Sequence, residues 1–489
     1  MRIGKYILLI ASLVWTLWFV FAGFGNIQDP LYWLYKYEHL EGGWMAAGTL
    51  LVGGGITHLF GAQLLPLRIA GWLCVATAIT LPYCCLQTRE QRQKNIHWLA
   101  LAFLLMNYGT FQEFSPGTLS VLLLSALLVT QSPVIAGLAI AARFPNILVL
   151  LILIPLWRKK NMWNIPIMAI TAGLIYCLSY WLIAPAPMDA AMNSHEILRI
   201  CSQLWEKGGL LIGFILMAVG VWALGQRWPS KWYIVGVIVG LALAYYIVYA
   251  TPAKQWYNIN VTYLLSAFCI VAALFTRNKT VYYGLALLVV ASLGTDTAWL
   301  KLFPAVLCLL PLVAEHYSEM MRRYVWLVML CLAVTVAIRF SMNSVGGSNL
   351  YKANTPATMT PYTHILINER EQMWLEQVKA DYDTLQSPVL ALGQRMHLIR
   401  AVTDCEAAKY NEFWSNIFDS VYTAKYREVV ERERPIVFCS FSPQFKTKSI
   451  YKDGESAMEK MLCEEGYHCL ERRTYKYMIY IPDYDSEVR

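Results

Sequence analysis

The sequence predicts a mainly α protein: a polytopic membrane helical bundle of about thirteen spans over residues 1–342, then a small extracytoplasmic α/β domain over 343–489. Three observations predict it. Apolar stretches fill the first two thirds of the chain, and a polar segment carrying four of the twelve cysteines follows. Charged residues make up 15% of the chain, against about 25% in a soluble domain, and hydrophobic residues reach 57%. Trp (18) and Tyr (30) are plentiful, as suits side chains at membrane–water interfaces.

A span needs about 20 apolar residues, fewer if the helix is buried among others. Residues 1–24 begin Met-Arg-Ile-Gly-Lys and run apolar to Phe24. This run is too long for a signal peptide and no small-residue cleavage site follows, so it reads as a first span with a cytoplasmic N-terminus. Further clear candidates lie at 66–86, 163–184, 232–250, 301–316 and 325–341. Shorter ones lie at 97–112, 117–131, 208–224, 261–275 and 281–294. Basic clusters fix the sides: Arg89, Arg92 and Lys94; Arg158, Lys159 and Lys160; Arg227 with Lys231; Arg277 with Lys279; Arg322 with Arg323. The positive-inside rule puts all of them in the cytoplasm. The net charge of +8 thus reflects orientation and calls for no nucleic-acid partner.

Two stretches decide the count. Residues 44–64 are long enough to span but hold Gly53-Gly54-Gly55 and His58, and residues 132–157 are interrupted by Arg143-Phe144-Pro145-Asn146. Every basic cluster becomes cytoplasmic if the first lies along or dips into the outer face and the second is a hairpin of two short arms. The tail from Met342 is then outside, as it is when each stretch is a single span. The outer face collects 25–65, Gln112 to Pro116, Arg143 to Asn146, 185–207, 251–260, Thr295 to Lys301 and the tail. Binding or chemistry belongs there, since the cytoplasmic loops are short and basic.

Three outer-face motifs stand out: Asp29 in Gly25-Asn26-Ile27-Gln28-Asp29-Pro30, Glu113 in Phe111-Gln112-Glu113-Phe114-Ser115-Pro116, and Arg143 in Ala141-Ala142-Arg143-Phe144-Pro145-Asn146. With this layout they resemble the GT-C superfamily of polyprenyl-phosphate-sugar-dependent membrane glycosyltransferases, the group that includes the lipid A aminoarabinose transferase and protein O-mannosyltransferases. Leu64-Leu65-Pro66-Leu67-Arg68 is similar to the family's Arg-bearing start of span two. The likeness covers roughly residues 1–160 by motif and the later spans by layout. Many members carry two adjacent acids in the first loop, whereas Asp29 is followed by Pro30; Glu38 and Glu41 are the nearest substitutes. The resemblance implies sugar transfer from a polyprenyl-phosphate donor to a lipid, glycan or protein acceptor in the cytoplasmic (inner) membrane of a cell envelope, with inversion.

The residue types suit that chemistry. Attack of an acceptor hydroxyl on a sugar C1 needs a carboxylate to take the proton, and Asp29 at the bilayer surface meets the need. Asp29-Pro30 also reads as a turn that starts the amphipathic segment Leu31-Tyr32-Trp33-Leu34. A departing lipid phosphate needs a cation, and Arg143 between two apolar arms is costly without an anionic partner. Arg143 equally reads as snorkelling to lipid headgroups or pairing with Glu113. Arg68 is a second phosphate candidate or an ordinary Arg at a span end. Glu113 reads as orienting the acceptor, joining Asp29 around Mg²⁺ or Mn²⁺, or closing a helix in water; no tight ligand spacing marks a metal site. Glu38, His195, Lys254 and Tyr257 lie in polar outer loops that line a substrate site or are simply solvated. Asp296 in Gly294-Thr295-Asp296-Thr297 reads as a cleft wall or as the end of a helix closed by Gly294.

In the tail, 366–379 has a helical apolar pattern, 388–392 and 435–438 read as buried strands, and 475–481 as a last strand. Cys405, Cys439, Cys463 and Cys469 permit two disulfides in three connectivities, with Cys463 and Cys469 the closest pair. Two other function classes fit the membrane layout. A flippase or transporter of a lipid-linked glycan should show charged or broken helices at mid-membrane and internal repeats. A surface-polysaccharide polymerase or ligase centres on a large late outer loop. Here the polar residues cluster at one face, no repeat is visible, and the loop at 185–207 is modest.

Overall fold

The computed structural model describes residues 2–23, 29–106, 113–184, 212–216, 258–276, 278–290, 298–316, 352–385, 389–393, 396–403, 420–440, 460–473 and 477–483, with scattered positions between 218 and 334. The helical part runs α1 (Arg2–Phe21), α2 (Asp29–His39), a 3-10 turn (Trp44–Ala46), α3 (Ala47–Phe60), α4 (Leu64–Leu86), α5 (Arg89–Met106), α6 (Pro116–Thr130), α7 (Pro133–Ala142), a 3-10 stretch (Phe144–Val149), α8 (Leu150–Lys160) and α9 (Asn164–Leu182). Further on come α10 (Asn258–Thr276), α11 (Lys279–Val290) and α12 (Ala298–Val313), which tightens into a 3-10 turn at Ala314–His316.

Among the described residues, Gly4–Phe21, Leu64–Leu86 and Asn164–Leu182 are long and apolar enough to cross a membrane. Shorter apolar helices include Pro116–Thr130, Pro133–Ala142, Thr262–Phe275 and Leu302–His316. The described residues thus give fewer full-length spans than the sequence count, and the candidates at 232–250 and most of 208–224 and 325–341 fall outside them. Apolar side chains such as Ile10, Val14, Leu174 and Trp181 point outward from α1 and α9. Contiguous outward apolar faces of this kind are the surface that lipid covers, and the chain is a membrane protein. The cluster Arg89, Arg92 and Lys94 lies within the first turns of α5, which starts well before the apolar run at 97.

The stretch at 132–157 is two helices with a break, as the Arg143-Phe144-Pro145-Asn146 interruption requires. Ser115 caps α6 through a reciprocal box with Thr118, and Pro116 occupies the first turn. After α6, Gln131 adopts a left-handed cap (φ 53°), and α7 returns beside it. Arg143 leaves the helix in extended geometry (φ −158°, ψ 112°). The Asn146 amide then ties the break to both neighbours, donating to Ser120 Oγ of α6 at 2.8 Å and to the Ala139 carbonyl at 2.8 Å.

The stretch at 44–64 is shorter than a span. Helix α3 has 14 residues, about 21 Å, against a hydrocarbon core of about 30 Å. Its first turn sits on the hairpin tip, where Thr49 Oγ1 donates to the Ala142 carbonyl at 2.8 Å. Just past its other end, Leu64 N–H donates to Pro361 O of the tail at 3.0 Å. Both ends of α3 therefore lie where the tail and the hairpin tip gather. The same end holds the close of α1, where Gly23 N–H donates to Leu366 O at 2.7 Å, and the close of α9, where Gly42 N–H donates to Ala184 O at 3.0 Å.

In the tail, a short ribbon pairs β1 (Thr355–Pro356) with β2 (Leu366–Ile367). Then come α13 (Glu369–Leu385), β3 (Val389–Gly393), α14 (Met396–Thr403), α15 (Ser420–Glu433), β4 (Ile436–Ser440), β5 (Tyr467–Arg473) and β6 (Tyr477–Pro482). The sheet order is β3-β4-β6-β5. Strands β3 and β4 are parallel, with Ala391 opposite Phe438, and the other pairs are antiparallel. The helix expected at 366–379 starts only at Glu369, because Leu366 and Ile367 are held in the ribbon. Strand β5 was not anticipated: Glu471, Arg472 and Arg473 break its apolar alternation. Cys463 and Cys469 form no disulfide with each other, Cys439 is buried in β4, and Cys405 lies outside the described residues.

The tail is not a separate bead. One apolar core contains Leu31, Leu34 and Tyr37 of α2, Leu50 of α3, Leu64 and Leu67 of α4 and Phe114, together with Tyr362, Ile365, Trp374, Leu398 and Ile399 of the tail.

Candidate functional site

The site grows from the first turns of α4. Phe114 N–H donates to the Leu67 carbonyl at 2.8 Å, which lays the 113–114 segment on that helix. Gly71 makes this approach possible: a Cβ there would meet the Glu113 carbonyl carbon at 2.5 Å and the Phe114 nitrogen at 2.7 Å. Within this contact Arg68 Nε faces Glu113 Oε1 at 3.3 Å, with side chains 0% and 5% exposed. Arg68 Nη1 also donates to the Gly23 carbonyl at the close of α1, at 2.9 Å. One guanidinium so joins three segments that are far apart in sequence. A charge pair this deep is a costly arrangement unless both members are held, and removing one partner costs about 3–5 kcal/mol.

Helix α2 packs against Phe114, next to this pair. Asp29 starts it and Pro30 occupies its first turn, where a missing N–H does no harm; the Asp29 side chain itself lies outside the described residues. Tyr37, 1% exposed, is pressed against Gly53 of α3. Its hydroxyl donates to the Phe114 carbonyl at 3.3 Å. Gly53 and Gly54 thus serve as a flat face on which α2 crosses α3, with Leu40 against Gly54, while Gly55 is exposed. The opposite side of α2 meets α14 of the tail. The Arg400 guanidinium carbon lies 3.2 Å from the Tyr35 ring centroid, and the His397 ring lies edge-on to Tyr32 at 5.5 Å. Lys36, also buried, sits 4.9 Å from the Tyr32 centroid. Burial pushes His397 down to about 3, and the nearby charges of Arg400 and Lys36 add to that.

At the hairpin tip Arg143 is buried. Trp44 stands edge-on to Phe144 at 4.5 Å, which closes the tip beneath the start of α3.

Of the residues singled out in the sequence, the structure brings Arg68 and Glu113 into direct contact. It places Arg143 at the same end of the bundle, reached through α3. Glu38 is exposed on α2, on neither of the contacts just described. His195, Lys254, Tyr257 and Asp296 lie outside the described residues. Sequence reasoning missed Tyr37, Tyr35, His397 and Arg400, whose roles depend on elements meeting across the chain. Gly71 had a signal, since an isolated glycine inside an apolar helical run marks a close packing contact. Among the described residues no three His, Cys, Asp or Glu side chains gather as a metal site. Glu113 faces a guanidinium, and the side chain of Asp29, its expected partner around Mg²⁺ or Mn²⁺, lies outside the described residues.

The fold and the site together define a class: a polytopic helical membrane protein whose first outer loop, hairpin tip and tail meet at one end of the bundle around a buried ion pair. No protein-family model matches the chain, and no curated protein matches it. Among solved structures, the chain is similar to ArnT from Cupriavidus metallidurans in the apo state, with 12% identity, 98% of this chain and 97% of that chain covered, and a TM-score of 0.43. It is also similar to the same protein bound to undecaprenyl phosphate, with 10% identity, 98% of each chain covered and a TM-score of 0.42.

Proposed function

We propose that this protein is a membrane glycosyltransferase that moves a sugar from a polyprenyl-phosphate donor to a lipid, glycan or protein acceptor. The reaction takes place on the outer face of the cytoplasmic membrane and inverts the anomeric centre. The observation that carries the reading is the buried Arg68–Glu113 pair next to the helix that Asp29 begins. A protein with no chemistry at this end has little use for a desolvated ion pair fixed to three chain segments, because packed apolar residues serve stability as well. The basic residues of the opposite end, Arg89, Arg92 and Lys94, suit the cytoplasmic side.

In this mechanism the acceptor hydroxyl attacks the sugar C1 while the bond from C1 to the phosphate oxygen breaks. Asp29 takes the hydroxyl proton, and polyprenyl phosphate leaves with the electron pair. Glu113, kept in place by Arg68, orients the reacting hydroxyl. Arg143 at the hairpin tip meets the charge that grows on the departing phosphate. Arg68 acts as a positioning residue rather than a phosphate ligand, since its guanidinium is engaged by Glu113 and Gly23. His195, Lys254, Tyr257 and Asp296 belong to the walls of the sugar and acceptor sites, and Glu38 to the rim.

The test is transfer by the purified protein from radiolabelled polyprenyl-phosphate sugars, wild type against Asp29→Asn. General-base assistance is worth about 10²–10⁴-fold, and a loss of that size with folding intact is the expected result. Undiminished transfer by the variant removes Asp29 from the role. No transfer from any donor by the wild type sinks the enzyme reading and favours movement of a lipid-linked glycan without chemistry.

A further inference from the structure

We propose that the tail is a working part of the site: Arg400, acting through Tyr35, is a positioning residue for the helix that Asp29 begins. The inference rests on the glycosyltransferase reading for its kinetic consequence, but its structural claim stands alone.

Helix α2 has 11 residues, and an isolated helix of that length is marginal in water. Its orientation is set by what grips its sides. On one side Tyr37 is locked between Gly53 and the Phe114 carbonyl. With Leu40 against Gly54 and the Leu40 carbonyl accepting from Ala184 N–H at 2.8 Å, that contact registers one side and the C-terminal end of α2 against the rest of the bundle. The second grip comes from α14. The Arg400 guanidinium carbon lies over the Tyr35 ring at 3.2 Å from its centroid, and Arg400 is only 8% exposed. His397, on the same face of α14 one turn earlier, backs Tyr32. Cation–π contacts gain strength when desolvated, so this one acts as a directional clamp. Leu398 and Ile399 of α14 continue into the core shared with Leu31 and Leu34, which anchors the clamp to both partners. With two grips on different sides, the start of α2 has one position relative to Glu113. Catalytic geometry is unforgiving in this respect: a 1 Å misplacement by a remote change costs about 10²-fold.

The experiment uses the full chain in lipid nanodiscs. A single cysteine at exposed Glu38, in a background lacking native thiols, carries a nitroxide that reports the motion of α2, while kcat and KM are read from the unlabelled chain with Glu38 intact. Arg400→Ala, Arg400→Lys and Tyr35→Phe are compared with the parent. The expected result is a mobile label in Arg400→Ala, with kcat down about tenfold to a hundredfold and the KM for donor within about twofold. Arg400→Lys recovers part of both signals, because it keeps the cation but not the plane. Tyr35→Phe keeps the ring but loses the hydroxyl that meets Arg400 and Glu41, so it loses less of both than Arg400→Ala. An unchanged label and unchanged kcat in Arg400→Ala overturn the proposal, and so does a loss of kcat in Arg400→Lys and Tyr35→Phe as large as that in Arg400→Ala. If the parent transfers no sugar, the enzyme reading fails while the label still decides the clamp.

Discussion

The two ends of the helical bundle both bury polar groups, and they do so differently. At the end opposite the tail, Glu315 is held by neutral amides: Gln91 Nε2 donates to one carboxylate oxygen at 2.9 Å and Asn95 Nδ2 to the other at 2.8 Å. Gln87 adds a bond to the Pro311 carbonyl at 2.9 Å. These contacts join one turn region, at the start of α5, to one helix end, that of α12. At the tail end Glu113 faces a full charge, and Arg68 ties it to α4 and α1 while Tyr37 and the tail close over it. The difference separates a latch from a site. A latch satisfies an acid with dipoles at modest cost, and it stays partly open to solvent. A site keeps charge in a dry place, where it acts strongly and where its loss is expensive.

Three measurements break or sharpen that contrast. The largest expected effect is at the pair. Arg68→Ala strands Glu113 in a buried position and should lower stability by about 3–5 kcal/mol, read as loss of thermal resistance in detergent; a melting curve within a degree of the parent contradicts the description of this end.

The next effect is pH dependence at the junction of tail and α2. The folded-state pKa of His397 lies at about 3, below its ordinary 6.5. Between those values the unfolded chain binds a proton that the folded chain does not. Stability is therefore full above pH 6.5 and is lost as pH falls toward 3. A shift of that size corresponds to a few kcal/mol. Melting temperature measured from pH 7 to pH 4.5 should fall, and His397→Phe should flatten the fall. An equally steep fall in the variant assigns the acid sensitivity elsewhere.

The smallest effect is at the latch. Glu315→Gln keeps the shape but turns one of the two accepting oxygens into a donor, and a flip of the Asn95 amide turns its Oδ1 to accept from it, so stability should change by about 1 kcal/mol, with sugar transfer unaltered. A collapse of transfer in Glu315→Gln would erase the distinction between the ends.

Much of this was readable along the chain. Hydropathy alone marked the membrane helices α1, α4 and α9, because lipid demands long apolar runs whatever the tertiary contacts. The break at Arg143 to Asn146 was readable from proline and charge, since neither continues an apolar helix cheaply. The strands at 388–392 and 435–438 showed as apolar runs between turn residues. Arg68, Glu113 and Arg143 stood out because ionisable groups are rare in such a sequence. Other features came from the tertiary structure only. Nothing local says that Arg68 would meet Glu113, 45 positions away, or that the first loop and the tail would share a core. Nor could the sequence show that Arg400 would lie on Tyr35. Composition and periodicity report what each segment does against its solvent, residue by residue. Which polar groups meet is decided by packing: where Gly71 and Gly53 allow backbones to touch, and which buried charge then finds the nearest opposite one.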